Sequence, residues 1–389
     1  MTCFNLEQPA RQLTEAIAKG PPLGGLSLAE ARKAVEAAQS APISMPEIDE
    51  SWVAVSSPFG DFEVRIVRPQ GSAGPLPVIL YMHGGGWILG SWITHDLLTR
   101  RLAIGANAAV VFVEYSRAPE ARYPVQIEQC YAAAQWITGQ GAGGGFDTTR
   151  IAVAGDSAGG NMSTVLALMA KERGGVQFVH QSLYYPMTDA NADDSESLQR
   201  FKDGPYGSAE GLAWFWNSYL TAEESRSEIL VSPLQARLAD LEGLPPALVI
   251  VDENDVLRDQ GEAYADKLRD AGVPTTSVRF NGTIHDFMRL NALRDSESTR
   301  AAISLAVAAL RRAFGTNQRQ QESTEEGQGS MGVVPRPESG FPPKYAREGI
   351  AALDHYPDGT ASPGSSEQDT RHADAHGRQR RAPRIQGEQ

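Results

Sequence analysis

Hydrophobic positions change their period along the chain in an ordered way. They alternate over residues 52–57 and again over 62–68, with Pro58-Phe59-Gly60-Asp61 between. Alternation on both sides of a Pro/Gly turn predicts two strands joined as a hairpin. Downstream come continuous apolar runs at 77–82, 109–114, 151–154, 178–185, 247–252 and 275–280. Segments with helical spacing separate them, at 94–107, 125–138, 162–173, about 260–271 and about 296–314. Strands covered on both faces read as uninterrupted apolar runs. Their alternation with helices predicts an α/β fold with a mostly parallel sheet between two helical layers.

Three regions depart from this alternation. Residues 1–48 carry Leu13 and Ile17, then the pattern from Leu26 to Ala38, and read as two amphipathic helices separated by Pro21-Pro22. Ser27 followed by Glu30 forms a capping-box signature for the second helix. Residues of about 187–230 hold Asp and Ser runs, then Trp214-Phe215-Trp216 and Tyr219-Leu220 at helical spacing. This is an insertion into the 49–314 domain, and its aromatics either pack it down or wall a substrate pocket. Residues 315–389 are rich in Gln, Glu, Ser, Gly, Pro and Arg without periodicity. Ordering each residue costs roughly 1–2 kcal/mol, more than such a composition can offset, so the tail is predicted to be disordered.

Composition narrows the class. The formal net charge of −13, with no long basic block in the folded part, argues against nucleic acid and anionic membrane surfaces as partners. Cys3 and Cys130 provide no disulfide framework. The N-terminus lacks a basic and then apolar leader, and no run approaches 18 apolar residues, so a cytoplasmic protein without integral membrane contact is expected. Nothing here argues against a homodimer.

The candidate chemistry centres on Gly155-Asp156-Ser157-Ala158-Gly159-Gly160-Asn161, between an apolar strand and a helix. A strand, a Gly-x-Ser-x-Gly turn and a helix resemble the nucleophile elbow of α/β-hydrolases. The turn would lift the Ser157 hydroxyl to a helix N-terminus, where unpaired N–H groups favour negative charge. Serine needs a base, and the base an orienting acid, in the chain order Ser, Asp or Glu, His. His180 lies inside a predicted strand, whereas His285 follows one, in Gly282-Thr283-Ile284-His285-Asp286-Phe287. The loop after residues 247–251 offers Asp252, Glu253, Asp255 and Asp259, of which Asp255 is preferred. His83-Gly84-Gly85-Gly86-Trp87 follows the 77–82 strand. Its Gly84 and Gly85 N–H groups, with that of Ala158, are the expected oxyanion donors, and His83 an orienting residue. Trp87, Asp156, Tyr185 and Trp214 are the candidate pocket residues.

Together these motifs resemble the hormone-sensitive-lipase group of carboxylesterases, which includes bacterial esterases and arylacetamide deacetylases. Tyr115-Ser116-Arg117-Ala118-Pro119-Glu120 is similar to a further stretch of that group, with Ser116 and Arg117 departing from it. Asp255-Val256-Leu257-Arg258-Asp259 is similar to its acid motif. The histidine motif carries Asp286 where glycine is frequent, and that carboxylate either acts on His285 or points away. The resemblance spans about residues 40–314. It implies an α/β-hydrolase fold whose N-terminal helices and 187–230 insertion form a cap. It also implies ester hydrolysis through an acyl-enzyme on a small-molecule ester, with no metal or organic cofactor. Plant gibberellin receptors resemble the group but lack the histidine that stands here as His285. Lipase, amidase and lactonase activities share the same triad.

Overall fold

In the computed structural model, residues 4–19, 26–192 and 194–316 are described. The predicted disordered tail, Cys3 and the Pro21-Pro22 break lie outside the described residues, apart from Gly315 and Thr316. An eight-stranded sheet in the order β1-β2-β4-β3-β5-β6-β7-β8 organises the chain. Its strands are β1 (Ile48–Val55), β2 (Phe62–Pro69), β3 (Leu76–Met82), β4 (Ala109–Glu114), β5 (Phe146–Asp156), β6 (His180–Tyr184), β7 (Ala247–Asn254) and β8 (Thr275–Ile284). The hairpin β1–β2 and the pair β2–β4 are antiparallel. Every pair from β4 through β3, β5, β6 and β7 to β8 is parallel.

The two-residue period of the strands sorts the core into two layers. Val78, Leu80 and Met82 of β3 join Val111, Val113, Ile151 and Val153 on one face. That face is covered by α4 (Val125–Gln140) and α5 (Ala158–Arg173), through Ile127, Cys130, Met162 and Leu166. Ile79 and Tyr81 point the other way, with Val110, Phe112, Ala152 and Ala154. There α3 (Trp92–Ala106) and α10 (Glu297–Phe314) supply Leu98, Leu102, Ala302 and Leu310. Beyond the insertion, α8 (Leu238–Leu241) and α9 (Arg258–Asp270) complete the first layer beside β7.

The N-terminal helices are α1 (Gln8–Ile17) and α2 (Leu28–Gln39), and the insertion contributes α6 (Glu196–Phe201) and α7 (Ala209–Tyr219). Ser27 caps α2 in a full capping box with Glu30. Arg32 fixes α2 to the domain by donating to the Ile88 and Ala118 carbonyls and pairing with Glu120. Gln39, at the other end of α2, donates to the Thr94 and Arg289 carbonyls at 3.2 and 2.8 Å.

Several boundaries differ from the sequence expectation. β1 begins four residues before Trp52, β5 begins at Phe146, and α5 begins at Ala158 directly after the serine. From Ala158 to Ala170 every residue of α5 is buried, so its first turn carries no amphipathic period to read.

Candidate active site

The sheet ends place three loops at one edge. β5 ends at Asp156 and α5 opens at Ala158, so Ser157 alone turns the chain, at φ 54° and ψ −118°. Such a backbone is strained for a residue with a side chain and persists only when its surroundings hold it. Here the Ser157 N–H donates to Tyr184 O at 2.9 Å, and the Ser157 carbonyl accepts from Asn161 and Met187 at 3.1 Å each. The flanking glycines are required by crowding. A Cβ on Gly155 would lie 2.3 Å from Gly159 O, and one on Gly159 would lie 2.0 Å from Met82 O.

His285 follows β8 and Asp255 follows β7, both beyond the carboxyl ends of neighbouring parallel strands. His285 Nε2 is 3.0 Å from Ser157 Oγ, and His285 Nδ1 is 2.8 Å from Asp255 Oδ2. The second Asp255 oxygen accepts the Leu257 N–H at 3.0 Å, which fixes the carboxylate plane. Asp255 is fully buried and the His285 side chain is 14% exposed. Burial lowers the His285 pKa, but Asp255 and then Asp286 outweigh it and raise the imidazole to about 9. Asp252 lies behind them, fully buried, its carboxyl pushed well above the usual range by burial and then by Asp255. Donor atoms of Asp252, Asp255 and His285 lie within 4.8 Å of one another, the only such grouping of three found among the described residues. The His285 and Asp255 atoms that would face a cation are hydrogen-bonded to each other.

Asp156 ties the serine turn to the loop after β3. Its Oδ1 accepts from Tyr81 Oη at 2.7 Å and from the Gly84 N–H at 3.1 Å, and its Oδ2 is 3.1 Å from His95 Nε2. Burial pushes this carboxyl up, yet His95, Arg289 and Tyr81 together hold it below the usual range. The Gly84 N–H is therefore engaged, which corrects its expected role as an oxyanion donor. The N–H groups of Gly85, Gly86 and Ala158 have no acceptor among the described residues, Ala158 because it opens a helix. Gly86 is a residue sequence reasoning missed; only the Asp156 contact shows that the free N–H groups start one residue later. His83 is buried, stacked on Tyr115 at 4.2 Å, with Nδ1 2.8 Å from Gly84 O and its pKa lowered to about 3 by burial. Its contacts with Gly84 and Tyr115 brace the loop. His180 is also buried, with Nε2 3.1 Å from Ser182 Oγ.

Of the four pocket candidates, three are fully buried. Asp156 is fully buried beneath the loop, because successive strand-end side chains alternate in direction. Trp87 is also fully buried, stacked on Tyr219 at 4.0 Å and against Trp216 at 4.7 Å, so it anchors α7 instead of lining a pocket. Tyr185, at φ 36°, sets its ring edge-on to His285 at 5.0 Å. Trp214 is 38% exposed and packs on Phe215, whose ring lies where a Gly86 Cβ would project. The Tyr115–Glu120 stretch supports the same loop: Ala118 N–H donates to Trp87 O and Arg117 to Gly90 O, each at 2.9 Å.

A family model described as alpha/beta hydrolase fold matches residues 79–289, the segment from β3 to the turn after β8. The chain belongs to the α/β hydrolase family. Carboxylesterase NlhH of Mycobacterium tuberculosis is 37% identical to this α/β hydrolase over 293 residues, 75% of this chain and 90% of the relative. An ethyl acetate hydrolase of Pseudomonas putida is 37% identical over 59% of this chain and 72% of its own. Among solved structures, a thermostable esterase from Pseudomonas putida superposes with a TM-score of 0.78 at 41% identity, covering 80% of this chain and 99% of that one. A fungal esterase from Rhizomucor miehei gives 0.76 at 38% identity, over 80% and 98%. These relatives place this α/β hydrolase among the carboxylesterase-type serine hydrolases. Among the described residues, no helix is long and apolar enough to cross a membrane.

Proposed function

We propose that the protein is a carboxylesterase that cleaves short- to medium-chain acyl esters of small molecules through a Ser157–His285–Asp255 triad. The observation that carries this is the contact of His285 with both Ser157 Oγ at 3.0 Å and Asp255 at 2.8 Å. Ser157 Oγ attacks the ester carbonyl while its proton passes to His285 Nε2. Asp255 keeps the Nδ1–H tautomer and stabilises the imidazolium as it forms. The charge on the carbonyl oxygen meets the free N–H groups of Gly85, Gly86 and Ala158, each such donor being worth about 3–4 kcal/mol in the transition state. The departing alkoxide takes the proton from Nε2. Water then gives a proton to His285 Nε2 and attacks the acyl carbon; the bond to Ser157 Oγ breaks, that proton returns to Oγ, and the carboxylic acid leaves.

The N-terminal helices and the 187–230 insertion serve as a cap. Two sets of contacts support this: Arg32 grips the carbonyls of Ile88 and Ala118, and Trp87 stacks on Tyr219 of α7. Phe215 against Gly86 narrows the space beside the oxyanion donors, which favours short acyl groups. The ethyl acetate hydrolase among the relatives supports the same range.

Hydrolysis of p-nitrophenyl esters from acetate to laurate, by wild type and Ser157→Ala, tests this reading. Activity that peaks at short chains and vanishes in the variant is expected. Activity surviving in Ser157→Ala would remove the serine from the mechanism.

A further inference from the structure

The turn carrying His285 holds a second carboxylate that the triad does not use. Asp286 adopts φ 70°, a left-handed conformation that Asp, Asn and Gly tolerate best. This backbone folds its side chain back toward the imidazole, and its two oxygens are used differently. Oδ2 pairs with Arg289 Nη2 and accepts from Tyr206 Oη at 3.3 Å. Oδ1 is buried without a hydrogen-bond partner among the described residues, 3.7 Å from His285 Nε2. That distance is too long to compete with Ser157 Oγ for the imidazole, and short enough for a strong charge interaction in a buried setting. Arg289 also stands 3.9 Å from Asp156 Oδ2, so one buried guanidinium lies between the two carboxylates that flank Ser157 and His285.

We propose that Asp286, held by Arg289, is a positioning residue for the reaction: its carboxylate flanks the Nε2 edge of His285 and sets the pH at which the imidazole can take the serine proton. Asp286 neither gives nor takes the proton, which moves from Ser157 Oγ to Nε2 and on to the leaving alkoxide. This inference rests on the triad reading given above.

The groups that face His285 come from every element around it. Ser157 and, beneath it, Asp156 come from the elbow. Asp255 and Asp252 come from the end of β7. Tyr185 comes from the end of β6, and Tyr206 from the segment before α7. Asp286 and Arg289 come from the turn itself. Of the carboxylates, Asp255 alone bonds the imidazole, through Nδ1, and Asp286 stands nearest on the Nε2 side. An opposite charge at this range shifts an imidazole by about one to three pH units, and the opposing Arg289 places the expected effect at the low end.

The test is the pH profile of kcat/KM for wild type, Asp286→Asn and Asp286→Gly in the full chain, with melting temperatures measured alongside. Both substitutions suit the positive φ, so a fold failure of one leaves the other. The expected result is an acid limb moved down by about one pH unit in both variants, so that activity at neutral pH rises relative to the plateau. An acid limb that stays in place, with activity or melting temperature reduced evenly at all pH values, would assign Asp286 to turn structure alone and overturn the proposal. Ser157→Ala keeps the two ideas apart. If that variant retains activity the triad reading fails, and if it is inactive while the limb is unmoved only the role of Asp286 fails.

Discussion

Asp156 accepts the Gly84 N–H at 3.1 Å, so the residue preceding the proposed nucleophile holds the loop that faces it. Tyr81 and His95 share the same carboxylate from below. Asp156→Ala would leave three buried polar partners unmatched, a change that typically costs about 3–5 kcal/mol. A fall in melting temperature of roughly 10 °C is expected for a domain of this size, with a loss of kcat of at least about tenfold. Calorimetry and steady-state kinetics on the same preparation check both, and unchanged kcat would uncouple the loop from Asp156.

The proposed oxyanion assignment separates Gly84, whose N–H is engaged, from Gly86, whose N–H is free. A Cβ at Gly86 would lie 2.0 Å from the Phe215 ring at a φ of 60°, and would disturb a free N–H. Gly86→Ala is expected to lower kcat by about 100-fold or more. Adding Phe215→Ala relieves the collision but leaves the backbone strain, so a partial recovery of kcat is expected in the double variant. Full recovery would show that Gly86 matters for space and contributes no donor.

The acid limb of kcat/KM follows His285, whose pKa stands raised to about 9. Only the neutral imidazole accepts the serine proton, so kcat/KM should climb through neutral pH and level off in the alkaline range. The stability sign is opposite. The folded state binds this proton more tightly than the unfolded chain, so the contribution is full below about 6.5 and is lost as pH rises through 9. Chemical denaturation at several pH values, run beside the kinetics, should show stability falling where activity rises. An acid limb near 6.5 would show that the two carboxylates do not act on His285.

The N-terminal helix α2 reaches the histidine turn through Gln39, which donates to Arg289 O and accepts from the Asn291 N–H at 3.1 Å. Gln39→Ala leaves a buried carbonyl and a buried amide without partners. A loss of about 1–3 kcal/mol is expected, with lower kcat because the turn bearing His285 and Arg289 loosens. An intact kcat together with a lowered melting temperature would limit α2 to a structural role.

The sequence carried the placement of Ser157, His285 and Asp255 because each follows an apolar strand, and parallel strands bring their carboxyl ends to one edge. Gly84 and Gly86 could not be told apart that way. A donor is free only if no acceptor folds beneath it, and the acceptor, Asp156, lies 72 residues along the chain. Trp87 and Asp156 were expected in the pocket because they adjoin the reactive residues. Neighbours in sequence point to opposite sides at a strand end, and an indole beside a helix rich in aromatics has a larger surface to bury inward. Asp286 stood out as a carboxylate where glycine is frequent, but its aim depended on a positive φ and on Arg289, which no period in the sequence announces.

The contacts of Asn5 with the end of β7, and of Glu7 and Gln39 with the segment around His285, also have a consequence for biosynthesis. Asn254 Nδ2 donates to Asn5 O across 249 residues, and Gln39 meets Arg289 across 250. Asn5 and Gln39 must therefore wait for these partners until nearly the whole domain has left the ribosome. Contacts of such long range are slow to close and leave apolar surface open to aggregation meanwhile. The edge that carries the proposed triad is thus completed late, and a chain whose synthesis stops short of His285 holds Ser157 without its proposed base.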